Sequence, residues 1–120
     1  MSTGKLTTHV LDTAHGKPAA GVLVRLSREL GEQGFIDVIG SWETNEDGRV
    51  DAPLIEGSRF RTGRYELSFA IGRYFKSIGH SDAARFLDVV PIVFHIADSD
   101  QHYHVPLLVS PWSYSTYRGS

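Results

Sequence analysis

Histidine, the side chain best placed for proton transfer near neutral pH, occurs six times in this sequence of 120 residues. The six are His9, His15, His80, His95, His102 and His104. Only Tyr103 separates His102 from His104, so a strand through this segment places both imidazoles on one face. Such a pair can be surface or half-buried histidines, can supply a general base, or can bind zinc if a third ligand arrives from elsewhere. No third ligand stands at a diagnostic spacing, and we therefore expect no metal.

Two further residues, His9 and Arg49, are candidates for chemistry in other parts of the chain. His9 shares a strand face with Thr7 and Leu11, where a lone histidine fits a structural role as well as a catalytic one. Arg49 directly follows Asn45-Glu46-Asp47-Gly48, whose Asp-Gly pair tolerates the positive φ angles of a tight turn. It is either a solvated loop arginine or a fixed cation that clamps an anionic or carbonyl-rich ligand.

The C-terminal segment from Ser110 to Ser120 is rich in aromatic and hydroxyl side chains, including Trp112, Tyr114 and Tyr117. Chain ends are usually frayed and carry no such concentration of aromatic residues. The segment is therefore either the sticky end of a last strand or a tail docked into a site or a subunit interface.

Composition excludes several classes of function. The chain has no cysteine, which removes thiolate catalysis, disulfides and cysteine-based zinc sites. It has no nucleophile-elbow serine and no phosphate-binding glycine loop. A net charge of −2 without a basic cluster argues against nucleic acid and anionic membranes as partners. Water activated by histidine fits best, because it needs no thiol, metal or cofactor.

Neither a signal peptide nor a membrane span is visible in the sequence. The first five residues, Met1-Ser2-Thr3-Gly4-Lys5, lack the apolar run of a signal peptide. No stretch approaches the roughly 18 apolar residues that a membrane-spanning helix requires. We therefore expect a cytoplasmic protein.

Short runs of alternating apolar and polar residues between turn signals predict many short strands. The predicted strands include 5–12, 22–27, 35–44, 64–71, 91–97 and 103–110, with a short helix over 72–79 and an ordered loop over 80–90. Pro106 removes a ladder donor, so the last of these strands is predicted to be at an edge or bulged nearby. Seven or eight short strands in one domain, 1–120, predict an all-β antiparallel sandwich.

Four segments resemble the transthyretin-related 5-hydroxyisourate hydrolases, and together they extend over nearly the whole chain from about Leu6. They are Leu6-Thr7-Thr8-His9-Val10-Leu11-Asp12-Thr13 with Gly16-Lys17-Pro18-Ala19, then Thr44-Asn45-Glu46-Asp47-Gly48-Arg49, His102-Tyr103-His104-Val105-Pro106-Leu107-Leu108 and Tyr114-Ser115-Thr116-Tyr117-Arg118-Gly119-Ser120. The terminal Tyr-Arg-Gly-Ser is the most specific of these features. One departure is Trp112-Ser113, which stands where many of these hydrolases have Tyr-Gly.

The resemblance implies a transthyretin-like sandwich of seven to eight strands with one short helix, assembled as a homotetramer (a dimer of dimers) with active sites in clefts between paired dimers. It implies hydrolysis of 5-hydroxyisourate in urate degradation without a cofactor. The catalytic residues map onto His9, Arg49 and His104, and the substrate-binding residues onto Tyr117, Arg118, Gly119 and Ser120. His102 has less support and is interpreted as a neighbour of the site.

Two alternatives remain open at this stage. A transthyretin-type carrier of small ligands shares the fold, but it lacks the two histidines, the arginine and the Tyr-Arg-Gly-Ser ending. A structural or adhesion sandwich would have no pocket at all.

Overall fold

A computed structural model describes residues 3–80 and 86–120 and confirms a β-sandwich of two sheets with one short α-helix. Its elements are β1 (Lys5–Asp12), β2 (Lys17–Pro18), β3 (Leu23–Arg28), β4 (Asp37–Glu43), β5 (Ile55–Glu56), β6 (Gly63–Ala70), α1 (Ile71–Ser77), β7 (Val89–Ile96), β8 (His102–Val109) and β9 (Tyr114–Thr116). The described ranges thus hold nine strands, more than the predicted seven to eight, and two of them, β2 and β5, have only two residues each.

The strands form two sheets that enclose the core. One sheet has the order β2-β1-β8-β9, with β5 also paired to β1, and the other has the order β4-β3-β6-β7. All the pairings of these strands are antiparallel except that between β1 and β8, which run parallel along their full length. The alternation in the sequence did not indicate this parallel pair, because a period of two is the same for either direction.

Alternation along each strand decides which residues enter the core. In β1, Leu6 and Val10 are fully buried, whereas Thr7 and His9 are half-buried on the opposite face. In β6, Tyr65, Leu67 and Phe69 are fully buried, as their shared face predicted. Successive side chains of a strand point to opposite faces, so one face of each sheet supplies the core and the other stays available.

The predicted helix over 72–79 is observed as α1. Gly79 has a φ of +82° and follows the end of the helix, as is common for glycine. The Tyr74 hydroxyl donates a 2.8 Å hydrogen bond to the buried carboxylate of Asp12 and so ties α1 to the end of β1. Within the described ranges, no helix is long and apolar enough to cross a bilayer.

The region after α1 follows the prediction only in part. Residues 81–85 of the predicted ordered loop lie outside the described residues. The end of that loop was placed wrongly, because Val89 and Val90 already belong to β7.

The prediction that the strand with Pro106 lies at an edge or is bulged is wrong. β8 lies between β1 and β9 and pairs with both. Its pairing with β9 keeps one register from Val109 through to an isolated bridge between His104 and Gly119. The backbone N–H and carbonyl of His104 point toward β9. Because these groups alternate in direction along a strand, the nitrogen and carbonyl of Pro106, two residues later, also point toward β9. Only one ladder bond is lost there, and the Thr116 hydroxyl donates to the Pro106 carbonyl at 2.7 Å.

Candidate active site

A polar cavity of about 450 Å³ lies where β1 and β8 run side by side. Its polar walls come from both strands, from the loop after β4 and from the last residue of the chain. The lining residues are Lys5, Thr7, Thr8, Arg49, Val50, Asp51, Ala52, Pro53, His102, His104 and Ser120. The size falls within the range of about 300–1,000 Å³ typical of small-molecule sites.

The parallel register between β1 and β8 brings the histidine pair to this cavity. Thr7 lies opposite His104, and Lys5 lies opposite His102. Tyr103, between the two histidines, is buried in the core, so both imidazoles face away from it. His9 follows Thr7 on the same face of β1, opposite Pro106. It therefore lies next to the cavity wall.

A single threonine hydroxyl joins the two imidazoles of the pair. The Thr7 Oγ1 lies 2.7 Å from the Nε2 of His102 and 2.8 Å from the Nδ1 of His104. All three side chains are half-buried. Because a hydroxyl has one proton, it donates to one of these nitrogens and accepts from the other.

The turn before Arg49 is built by Asn45. The Asn45 Oδ1 accepts hydrogen bonds from the backbone N–H of Asp47 at 2.9 Å and of Arg49 at 3.1 Å. The Gly48 N–H closes the turn on the Asn45 carbonyl at 2.9 Å. The predicted tight turn is therefore confirmed, and an asparagine side chain fixes it in the way typical of Asx turns.

Gly48 attaches this turn to β1. Its carbonyl accepts from the Val10 N–H at 2.8 Å, and Arg49 pairs with His9 as an isolated bridge. Gly48 has a φ of +74°, and a Cβ there would lie 2.4 Å from the Val10 carbonyl oxygen. Only glycine combines this backbone conformation with so close an approach, and the result is that Arg49 is held beside His9.

The chain terminus reaches the same cavity through Gly119. Its backbone N–H donates to the His104 carbonyl at 2.7 Å, and its carbonyl accepts from the His104 N–H at 3.2 Å. A Cβ on Gly119 would lie 3.1 Å from the His104 Cβ and 3.2 Å from its Cδ2. The absence of a side chain therefore lets the terminus pack against the histidine and places Ser120 in the cavity wall.

Tyr117 and Arg118 are placed differently from the other two terminal residues. Both border a second hollow, of about 280 Å³, which Tyr103 and residues of β7 also line. The guanidinium carbon of Arg118 lies 4.3 Å from the centre of the Tyr103 ring. Its Nη2 donates to the Gln101 side-chain oxygen at 2.8 Å. Within the single chain, the structure brings His104, Arg49, Gly119 and Ser120 together, whereas Tyr117 and Arg118 line the second hollow, and Arg118 reaches the site only through a 3.3 Å hydrogen bond to the His102 carbonyl.

Burial and neighbouring cations lower the pKa of all three site histidines. The pKa of His104 is lowered by burial first, then by the positive charge of Arg49 and by the other two site histidines. Burial and Arg49 also lower the pKa of His9, although Asp47 acts in the opposite direction. For His102, burial and the cations Lys5 and Arg118 lower the pKa. These shifts favour the neutral form of each of the three imidazoles, the form in which one ring nitrogen can accept a proton.

Sequence reasoning missed Thr7 and Lys5 as parts of the site and treated His102 only as a neighbour. The available signal was that Lys5 and Thr7 share a strand face with His9, which the alternation already implied. The zinc hypothesis for the histidine pair gains no third ligand, because residues 3–80 and 86–120 contain no cluster of three or more histidine or acidic side chains arranged to hold a metal ion.

Comparisons with known proteins agree with this geometry. The sequence model of the HIUase/Transthyretin family matches residues 6–119. The 5-hydroxyisourate hydrolase 2 of Rhizobium meliloti is 57% identical over 120 residues, which cover 98% of each chain. The structure of Klebsiella pneumoniae 5-hydroxyisourate hydrolase matches with a TM-score of 0.80 at 36% identity and covers all of both chains. Sea bream transthyretin in complex with thyroxine matches with a TM-score of 0.85 at 28% identity, over 96% of this chain and 94% of that one.

Proposed function

The chain belongs to the HIUase/Transthyretin family, and from that premise we propose that it hydrolyses 5-hydroxyisourate to 2-oxo-4-hydroxy-4-carboxy-5-ureidoimidazoline. The observation that carries the proposal is a single polar cavity that joins His104, Arg49 and Ser120, with His9 beside it. The relatives named 5-hydroxyisourate hydrolase support the choice of substrate.

The reaction needs a base, a stabiliser of negative charge and one water molecule. His9 and His104 orient the water, and one of them takes its proton. The water oxygen then attacks the C6 carbonyl of 5-hydroxyisourate. When the N1–C6 bond breaks, C6 keeps the water oxygen as part of a carboxylate, and N1 takes a proton. Neutral imidazoles suit this role, because only the unprotonated nitrogen can accept the proton.

Arg49 supplies the fixed positive charge. Its guanidinium holds the carbonyl oxygens or the anionic form of the substrate and stabilises the charge that develops during attack. The turn formed by Asn45 and Gly48 fixes the backbone of Arg49 before substrate binds. Substrate binding therefore needs to order little of this backbone.

Gly119 and Ser120 complete the substrate-binding set from the C-terminal segment, and Ser120 helps to position the water. Tyr117 and Arg118 belong to the same proposed set, but they border the second hollow in the single chain. Their contact with substrate therefore requires either a second subunit or a movement of the terminal segment.

A homotetramer with shared clefts fits the exposed features of this chain. The outer edges of β7 and β9 have no strand partner within the described residues, and both border the second hollow. Tyr117 is 60% exposed and Trp112 is 50% exposed. Open sheet edges and large exposed aromatic residues are costly in an isolated chain and are commonly covered by association.

Small-ligand carriage is the competing function, and the similarity to sea bream transthyretin favours it at the level of the fold. A carrier of small aromatic ligands would need an apolar channel, whereas the cavity here is lined by two histidines, an arginine and a lysine. This lining favours hydrolysis.

A spectroscopic assay tests the proposal. 5-Hydroxyisourate is generated with urate oxidase, and the decay of its absorbance is followed with and without the protein. We expect faster decay with the protein, and a loss of about 10²–10⁴-fold in kcat for His104→Ala with the fold retained. A decay that stays at the spontaneous rate would reject hydrolysis in favour of carriage. An unchanged kcat in His104→Ala would remove this histidine from the mechanism.

A further inference from the structure

The contact between Thr7 and the two histidines restricts where protons can reside. Since the Thr7 Oγ1 is within hydrogen-bond distance of both His102 Nε2 and His104 Nδ1, and has one proton, only two arrangements satisfy all three groups. In the first, His102 donates to Thr7 and Thr7 donates to His104. In the second, His104 donates to Thr7 and Thr7 donates to His102.

The two arrangements leave opposite groups in the cavity. In the first, Nδ1 of His104 is an acceptor, so its proton sits on Nε2 and this nitrogen cannot take another. In the second, Nδ1 carries the proton and Nε2 keeps a free lone pair. Because Nδ1 is occupied by Thr7 in either case, Nε2 is the nitrogen through which His104 can act on water.

The second arrangement also remains intact when His104 becomes charged. An imidazolium donates from both nitrogens, so its Nδ1–H still donates to Thr7 and the Thr7 hydroxyl still donates to His102. In the first arrangement, the same charging would direct two hydrogens at each other and force the hydroxyl to rotate. His102 is suited to the acceptor role, since burial and the charges of Lys5 and Arg118 lower its pKa and keep it neutral.

We propose that Thr7 and His102 are positioning residues that hold His104 with its proton on Nδ1, so that Nε2 of His104 is the general base. This inference rests on the proposed hydrolysis and decides which of the two histidines activates the water. His102, which the sequence analysis treated only as a neighbour of the site, thereby acquires the role of accepting the Thr7 hydrogen bond. A hydrogen bond to one ring nitrogen of a histidine commonly fixes its tautomer and leaves the other nitrogen free to act.

Nitrogen NMR of the full-length protein tests the tautomer without reference to activity. The histidines are labelled with ¹⁵N, and the His104 signals are assigned by their loss in His104→Ala. We expect a protonated Nδ1 and an unprotonated Nε2 on His104 at neutral pH. In Thr7→Val, which keeps the shape of the side chain and removes the hydroxyl, this preference should be lost. A proton on Nε2 of His104 in the native protein would overturn the proposal.

Kinetics test the consequence for catalysis. We expect Thr7→Val and His102→Phe each to lower kcat by roughly 10–100-fold with little change in KM. Thr7→Ser should restore most of the activity, because it returns the hydroxyl. Thr13→Val is the matched control, since Thr13 also donates its hydroxyl from this part of the chain, to the Val109 carbonyl, but lies outside the cavity. Its kcat should stay at the native level.

The outcomes separate this inference from the proposed function. If the native protein does not accelerate the decay of 5-hydroxyisourate, the function fails while the tautomer can still be read from the spectrum. If the native protein is active but Thr7→Val keeps full kcat, or Thr7→Ser does not recover it, the positioning role fails and the hydrolysis stands.

Discussion

At the scale of single residues, the proposed chemistry requires an unprotonated imidazole close to an arginine. Burial and the Arg49 charge act in the same direction on His9 and His104, and both lower the pKa. The guanidinium that is proposed to bind the substrate thus also favours the unprotonated form of both histidines. One side chain serves two purposes, and its removal should have two separable effects.

The first effect is on pH dependence. Since protonation of the base stops catalysis, the acid limb of kcat/KM against pH should lie below the ordinary histidine pKa of about 6.5. Arg49→Ala should move that limb to higher pH, because loss of the cation makes both imidazoles easier to protonate. Activity across a pH series, together with NMR titration of the histidine ring protons, measures the shift. An acid limb that does not move would show that the arginine does not influence the base.

The second effect is on transition-state and substrate binding. Arg49→Glu should be less active than Arg49→Ala, since it places a negative charge where carbonyl oxygens or an anion must bind. Comparison of kcat/KM for the two variants at one pH measures the difference. Equal activities would argue against the clamp role, whereas a larger loss for the glutamate supports it.

At the scale of elements, the site depends on two pieces of backbone that are joined to β1. The parallel register with β8 brings Thr7 opposite His104, and the turn at Gly48 brings Arg49 beside His9. Neither piece would position its side chain without β1 as the common support. Damage to the turn should therefore affect activity more than its exposed location suggests.

Gly48→Ala tests this dependence. Positive φ alone costs about 1–2 kcal/mol for a residue other than glycine, and the added Cβ would also meet the Val10 carbonyl at 2.4 Å. We expect a clear loss of stability together with a loss of kcat/KM. Gly57→Ala is the matched control, with a φ of +66° and nothing within 4 Å of the added Cβ.

Denaturant unfolding and the absorbance assay compare the two glycine variants. Gly57→Ala should lose only the stability that a positive φ costs a residue other than glycine, and it should keep its activity. Equal losses of stability in both variants would mean that the close approach to β1 contributes nothing, and full activity in Gly48→Ala would separate the turn from the site.

At the scale of the whole molecule, the fold does not distinguish hydrolysis from ligand binding. The TM-score of 0.85 to sea bream transthyretin is as high as the 0.80 to the Klebsiella pneumoniae hydrolase. A sandwich of two sheets supports either function, so the function has to be inferred from the side chains that β1 and β8 present to the cavity and not from the fold.

Assembly supplies a prediction at the same scale. If active sites are completed between subunits, dilution to monomers should abolish activity, because Tyr117 and Arg118 border a hollow outside the polar cavity within one chain. Sizing chromatography or light scattering at each concentration, paired with the assay, measures this. A monomer that keeps full specific activity would contradict the shared cleft.

Patterns in the sequence were sufficient to predict much of the local structure. Alternation predicted β1 from Lys5 to Asp12 and the buried face of Tyr65, Leu67 and Phe69, and the Asp-Gly pair predicted the turn before Arg49. These features are local, because they depend on residues within a few positions of one another. The resemblance to a family added His9, Arg49 and His104 as candidates, whose roles stay predictions.

Which distant residues meet in the site became visible only in the folded chain. Thr7 and His104 are 97 positions apart in the sequence, yet they share a hydrogen bond. Alternation of apolar and polar residues predicts which face of a strand each residue occupies. It does not predict which strand lies beside it or in which direction that strand runs. The parallel pairing of β1 with β8, the interior place of the strand that contains Pro106, and the hydroxyl between two imidazoles all follow from contacts between distant segments, which no local pattern records.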